Sequence, residues 1–208
     1  MAFPVVFLWF VLAILIFRHH LRKNTKAQDE ASRAFWKKEE ASLVVRKKAL
    51  EPEEYIHPTL TTDDLKGEAY YNKLGKTQLL RHEVYLHEIL QLDMVNFSHM
   101  TNTDLRINFG TAMLTIIEKN ENNYTAYITT LYKLAKGVYE AGDLNYACKL
   151  LEEGVGVGTD NRQHILLLAE IYLKLDNREA FDNLYSVAES NQSLTKKALL
   201  ESLDEMIP

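Results

Sequence analysis

From residue 64 onward, apolar side chains recur every third or fourth position in blocks of nine to eighteen residues. That is the period of helices that bury one face. The blocks fall at 64–74, 77–94, 111–119, 124–141, 144–153, 161–175, 178–189 and 194–206, with a turn or short helix at 103–108 ended by Gly110. Thr61 or Thr62, Asn123, Asp143, Asp160, Asn177 and Ser193 stand where a helix needs an oxygen to accept its first free N–H groups. No segment alternates as a strand does, and connections of two to six residues predict antiparallel helical hairpins. The pattern predicts an all-α fold.

The first part of the chain reads differently. Residues 1–17 carry no charged side chain, and 18–26 hold four Lys or Arg and no acid. A helix over the apolar run would cover about 25 Å, near the lower limit for a bilayer core of ~30 Å. A cleaved signal would need a basic start and a small-x-small cleavage site, and neither is present. The run therefore predicts an N-terminal transmembrane helix. The charge rule predicts a single-pass protein of the plasma membrane with its N-terminus outside and its C-terminal domain cytoplasmic. Residues 27–50 are rich in Ala, Lys and Glu and extend the helix as a basic juxtamembrane segment. Trp36, Leu43 and Leu50 repeat at seven, too few turns for a coiled coil. Pro52 and Pro58 then break the helix. The expected divisions are an anchor at 1–17, a juxtamembrane helix at 18–50, a linker at 51–63 and a helical domain at 64–208.

Charge sharpens this division. The chain has 24 basic and 29 acidic residues, a net of −5. Residues 18–48 hold ten basic and four acidic of these, a net of +6, and the chain from Ala49 on carries −11. A basic collar suits an anionic leaflet, and the acidic remainder is held off it. The acidic balance excludes a nucleic-acid partner, which requires a basic face on the folded part. Cys148 is the sole cysteine and lies within an apolar helical pattern, so it reads as a buried packing residue rather than a nucleophile.

An offset of 34 residues pairs Leu131 with Ile165, Leu134 with Leu168, Ala135 with Ala169, Val138 with Tyr172, Leu151 with Tyr185 and Gly154 with Ala188. This large, large, small, large order resembles the tetratricopeptide repeat. Gly142 and Ala147 match that family's inter-helix glycine and second-helix alanine, while Asp176 and Phe181 depart from it. The resemblance implies two units, about 128–161 and 162–195, a degenerate pair before them and a capping helix at the C-terminus. The stretch 101–110 (TNTDLRINFG), Asn123-Tyr124-Thr125, 35–39 (FWKKE) and Tyr55-Ile56 resemble a group of uncharacterised single-anchor membrane proteins from clostridial Gram-positive bacteria. That resemblance implies a bacterial membrane setting and supplies no site residues.

Several motifs invite chemistry and do not support it. His82 and His87 are five apart, whereas a helix brings two histidines onto one metal at a spacing of four. Gly154, Gly156 and Gly158 follow a helix rather than a strand, so they read as a helix end and not a phosphate loop. His19 and His20 read as interfacial flank, the sequons at Asn96, Asn123 and Asn191 carry no meaning in a cytoplasmic domain, and tyrosines such as Tyr70, Tyr71, Tyr85 and Tyr124 read as packing. No catalytic residue, cofactor, metal site or small-molecule substrate is expected. The expected function is that of a membrane-tethered protein–protein interaction module, a scaffold or adaptor, with Tyr127, Thr130, Lys133, His164 and Leu167 lining the partner face. The alternative is a structural subunit or assembly factor of a membrane complex.

Overall fold

The computed structural model describes residues 3–190 and 196–207, with side chains for all of these except 3–6, 19–24 and 27. Every regular element among them is helical: α1 (Phe3–Leu43), α2 (Gly67–Leu74), α3 (Leu80–Ile89), α4 (Asn102–Phe109), α5 (Leu114–Glu140), α6 (Leu144–Gly156), α7 (Arg162–Lys174), α8 (Arg178–Ser190) and α9 (Lys196–Asp204). The chain divides into one unit of Met1–Ala49 with Thr101–Leu114 and a second of Leu50–Met100 with Thr115–Pro208.

In the first unit α1 runs unbroken through the expected boundary at residue 17. Among the described residues no helix is long and apolar enough to cross a membrane. The described residues therefore do not support the expected transmembrane helix, and the apolar run is the start of a longer helix. Its described apolar side chains, 7–17, cover about 16 Å before Arg18. All of them are exposed, Leu8 and Trp9 to 72% and 68%. Helix α1 ends at Leu43 instead of continuing to 50, because the next residues follow α4: the Lys48 N–H donates to the Phe109 carbonyl at 2.9 Å. Leu50 therefore lies outside the stripe begun by Trp36 and Leu43. The end of α1 is gripped by α4. Arg106 donates to both oxygens of Glu39 at 3.0 and 3.3 Å, the Thr103 hydroxyl donates to the same carboxylate, and Lys38 pairs with Asp104 at 2.6 Å. Asp104 also closes the N-terminus of α4 through the Thr101 N–H and hydroxyl, at 3.1 and 2.6 Å. The Lys38 bond first, and those from Thr101 after it, hold its carboxyl down at about 2.

The second unit is built on antiparallel helices that bury one core of Leu, Ile, Ala and Tyr side chains, joining α3 and α5 through α9. Residues expected as two helices, 111–119 and 124–141, form the single helix α5. The Asn120-Glu121-Asn122-Asn123 run resembles a loop, yet its polar groups satisfy a neighbouring one. The Val95 N–H reaches the Asn120 carbonyl, and the Asn123 amide donates to the Asp93 carbonyl at 2.8 Å. Asn123 is therefore mid-helix and no cap. The block at 77–94 is shorter than expected: α3 stops at Ile89, and the chain beyond it meets residue 56, whose N–H donates to the Met94 carbonyl at 2.9 Å. Asp143 and Asn177 cap α6 and α8 as expected, whereas α7 is capped by Asn161 and not Asp160. Ser193 and Asn191 lie outside the described residues.

The 34-residue correspondence holds in the packing. Leu131, Leu134, Ala135 and Val138 are fully buried, as are Ile165, Leu168 and Ala169 within two per cent, and Tyr172 follows at 7%. The turns match as well. Gly142 and Asp176 both take left-handed φ, +94° and +56°, and the next N–H in each case returns to Val138 or Tyr172 at 3.2 and 2.9 Å. Asp176 thus occupies the inter-helix glycine position with the residue class that tolerates it next best. Helix α9 packs on α7 and α8 through buried Leu199 and Leu203.

Two buried carboxylates fasten the segment expected as a linker. Glu153 of α6 accepts from the Thr59 and Leu60 N–H groups at 3.0 and 3.1 Å, from the Thr59 hydroxyl and from Tyr127 at 2.9 Å. Glu83 of α3 accepts from the Lys66 and Gly67 N–H groups at 2.9 and 2.6 Å and from Tyr71 and Tyr146 at 2.5 and 3.2 Å. Residues 59–67 therefore form a strap, not a free tether.

Glu153→Ala would leave two amides and a buried phenol without their acceptor. At roughly 1–3 kcal/mol per unpaired group, a loss of about 3–5 kcal/mol in urea unfolding is expected. Hydrogen exchange should speed at Thr59 and Leu60 before it does in α7. Asp176→Gly should instead stabilise by about 0.5–1 kcal/mol, seen as a higher unfolding midpoint.

Candidate partner-binding face

Helices α3, α5 and α7 share a face cut by two grooves. The first, of about 490 Å³, lies between α3 and α5 and is lined by His82, Tyr85, Asn122, Thr125, Ala126, Thr129, Thr130 and Lys133. The second, of about 340 Å³, lies between α5 and α7 under the end of α9 and is lined by Tyr132, Lys136, Tyr139, Glu140, Gln163, Leu166, Leu167, Glu170 and Met206. Helix α5 supplies both from neighbouring flanks. Positions 122, 125, 126, 129 and 133 follow the three–four helical spacing on one side, and 132, 136 and 139 follow it on the other.

The grooves differ in electrostatics. In the first, His82 is held below the ordinary histidine range, chiefly by burial and then by repulsion from Lys133 and Arg81. No carboxylate lines this groove. In the second, Lys136, Glu140 and Gln163 stand exposed at the rim, while Tyr139 and Glu170 are bonded to each other and to Lys174. Tyr139 donates to Glu170, Lys174 donates to the Tyr139 oxygen and pairs with Glu170 at 3.0 Å, and the Lys174 ammonium lies 4.5 Å from the Tyr139 ring centre. The Tyr139 bond, ahead of that from Lys174, lowers Glu170. What remains in this groove is a floor of Tyr132, Leu166, Leu167 and Met206.

Of the five residues expected to line a partner face, Thr130, Lys133 and Leu167 line these grooves. Tyr127 and His164 do not. Tyr127 is fully buried because it continues the packing stripe 127, 131, 134, 138 and turns its hydroxyl to Glu153. His164 is also fully buried, with its Nε2 2.8 Å from the Leu151 carbonyl and its Nδ1 without a partner. The cause is Gly154: a Cβ there would lie 2.2 Å from the imidazole Cε1, so the missing side chain of α6 is the space the ring fills. Sequence spacing gave a sign of both, in the stripe of 127 and in a glycine inside an apolar helix. The groove residues His82, Tyr85, Asn122, Thr125 and Thr129 went unrecognised, Asn122 because it fell between two expected helices and the others because they meet only when α3 is laid beside α5.

A third cavity, about 380 Å³, lies between the strap and α6, and its charges pair internally: Lys149 donates to Asp64, while Glu152 accepts from Tyr172 at 2.9 Å. Cys148 is buried, donates to Glu152 at 3.4 Å and is pushed up to about 12 by burial first and Glu152 second, which leaves the thiol unreactive at neutral pH. The glycine run is the end of α6, with the Thr159 N–H returning to the Gly154 carbonyl at 3.0 Å. Among the described residues no three His, Cys, Asp or Glu side chains gather as metal ligands. The His19 and His20 side chains lie outside those described. No family model matches the chain, and comparison with curated proteins and with solved structures finds no match.

Burial holds the His164 pKa below its ordinary value of 6.5. The neutral ring is therefore favoured by folding, and its contribution is present above 6.5 and lost as pH falls through the lowered folded value. Unfolding midpoints measured between pH 7.5 and 5 should decline for the natural chain, with a shallower decline for His164→Gln.

Proposed function

We propose that this chain is a membrane-tethered protein–protein interaction module, a scaffold or adaptor that offers the α3–α5–α7 face to a partner in the cytoplasm. The observation that carries this reading is the pair of open grooves on adjacent flanks of α5, one bearing Lys133 and no carboxylate and one with an apolar floor under a polar rim, on a helical array whose buried carboxylates are internally bonded. Helical hairpins with a 34-residue correspondence in their buried positions support a tetratricopeptide-like array, which binds through such a face. The uncharged run over residues 1–17, exposed where its side chains are described, and the basic collar after it support the tether. In this reading the chain catalyses no reaction and uses no cofactor.

One observation favours the second reading, a structural subunit or assembly factor. Phe35, Trp36, Leu43 and Val44 are 54–80% exposed in the unit that joins α1 to α4, and they could pack on a membrane complex.

A photo-crosslinking amino acid placed at Lys133, Lys136 or Trp36 in cells separates the two. The first reading expects one protein adduct from both Lys133 and Lys136 and none from Ser186 on α8. Adducts from Trp36 alone would transfer the function to the first unit. A reporter fused to the C-terminus should be active only in its cytoplasmic form.

A further inference from the structure

We infer that the segment received by this face is an acidic one, with an Asp or Glu side chain seated in the α3/α5 groove and a large apolar side chain seated in the α5/α7 groove. This rests on the binding reading above and names the chemistry of its partner.

The first groove places Lys133 beside His82, with Arg81 on the same helix as His82, and no carboxylate among its lining. Neither Lys133 nor Arg81 forms an ion pair among the described residues, and neither does Lys136 on the next flank of α5, whereas Lys149 is bonded to Asp64 and Lys174 to Glu170. Positive charge left without a partner in a region of net −11 is complementary to an anion from outside. The hydroxyls of Thr125 and Thr129 and the Asn122 amide stand beside it as uncharged donors for the second carboxylate oxygen. The acidic surface elsewhere repels the same segment, so its charge is accepted here and opposed around it.

The second groove contributes the opposite preference. Tyr139, Glu170 and Lys174 are bonded to one another and Lys136, Glu140 and Gln163 stand exposed at the rim, so the half-buried floor of Tyr132, Leu166, Leu167 and Met206 is what receives a side chain, an apolar one. The two grooves are separated by α5, whose width with side chains is roughly 10 Å. An extended chain advances ~3.3 Å per residue. The acid and the apolar anchor therefore stand about three residues apart in the partner.

The test is selection of random peptides, about twelve residues long and displayed on phage, against the full chain in detergent micelles. Enriched peptides should carry Asp or Glu about three residues from Leu, Ile, Met or Phe. A fluorescein-labelled copy should lose affinity about tenfold on Lys133→Glu, a change at an exposed position, and no further on changing its own acid to the amide. Enriched peptides without an acid, or binding indifferent to Lys133→Glu, would overturn the inference. So would Lys133-dependent binding of phosphatidylglycerol vesicles with no peptide enriched, which would assign the groove to lipid. A crosslinked partner whose captured segment is basic or neutral would sink this inference and leave the binding reading standing. Loss of both the adducts and the enrichment would remove the two together.

Discussion

Two carboxylates taken out of water hold the repeat-bearing unit in its form. Burying an ionised group costs several kcal/mol unless its lone pairs are filled, and Glu83 and Glu153 each have four donors. Half of these donors are backbone amides of residues 59–67, groups that a chain passing over a helical surface cannot give to a neighbouring strand. Each side thus removes the other's penalty. The tyrosines that complete the two shells, Tyr127 with Glu153 and Tyr71 and Tyr146 with Glu83, reach them from three different helices. The strap, α2, α3, α5 and α6 are consequently specified together.

The helical class and the hairpin order were legible because apolar spacing is a local property that survives into the core, as Leu131, Leu134 and Val138 illustrate. The caps of α6 and α8 were legible and that of α7 to within a residue, whereas Asn123 lies mid-helix. What spacing could not supply was the fate of polar atoms. Asn120 and Asn123 read as a loop until residues 93–95 come near enough to use them. Glu153 reads as one more charge on a helix until Thr59, more than ninety positions earlier, lies over it. The grooves beside α5 were half legible for the same reason. Lys133 and Leu167 follow from helical geometry alone, whereas His82 and Tyr85 join them only when α3 is laid beside α5.

Distribution of charge organises the molecule at a larger scale. Basic residues gather along α1, where Lys38 meets Asp104 and Arg106 meets Glu39 across to α4. In the second unit Lys149 and Lys174 are matched at short range by Asp64 and Glu170, whereas Lys133 and Lys136 on α5 pair with no acid among the described residues. Against that background an unmatched lysine is informative in a way that it would not be on a basic protein.

The contact between Gly154 and His164 has a consequence for how this sequence can drift. A ring lying where a neighbouring Cβ would be makes the two positions one decision: any side chain at 154 requires a smaller residue at 164, and a smaller residue at 164 alone opens a void. Substitutions at these sites should therefore arrive in pairs, ten residues apart, and an ordinary tally of which residues change least would miss the bond between them.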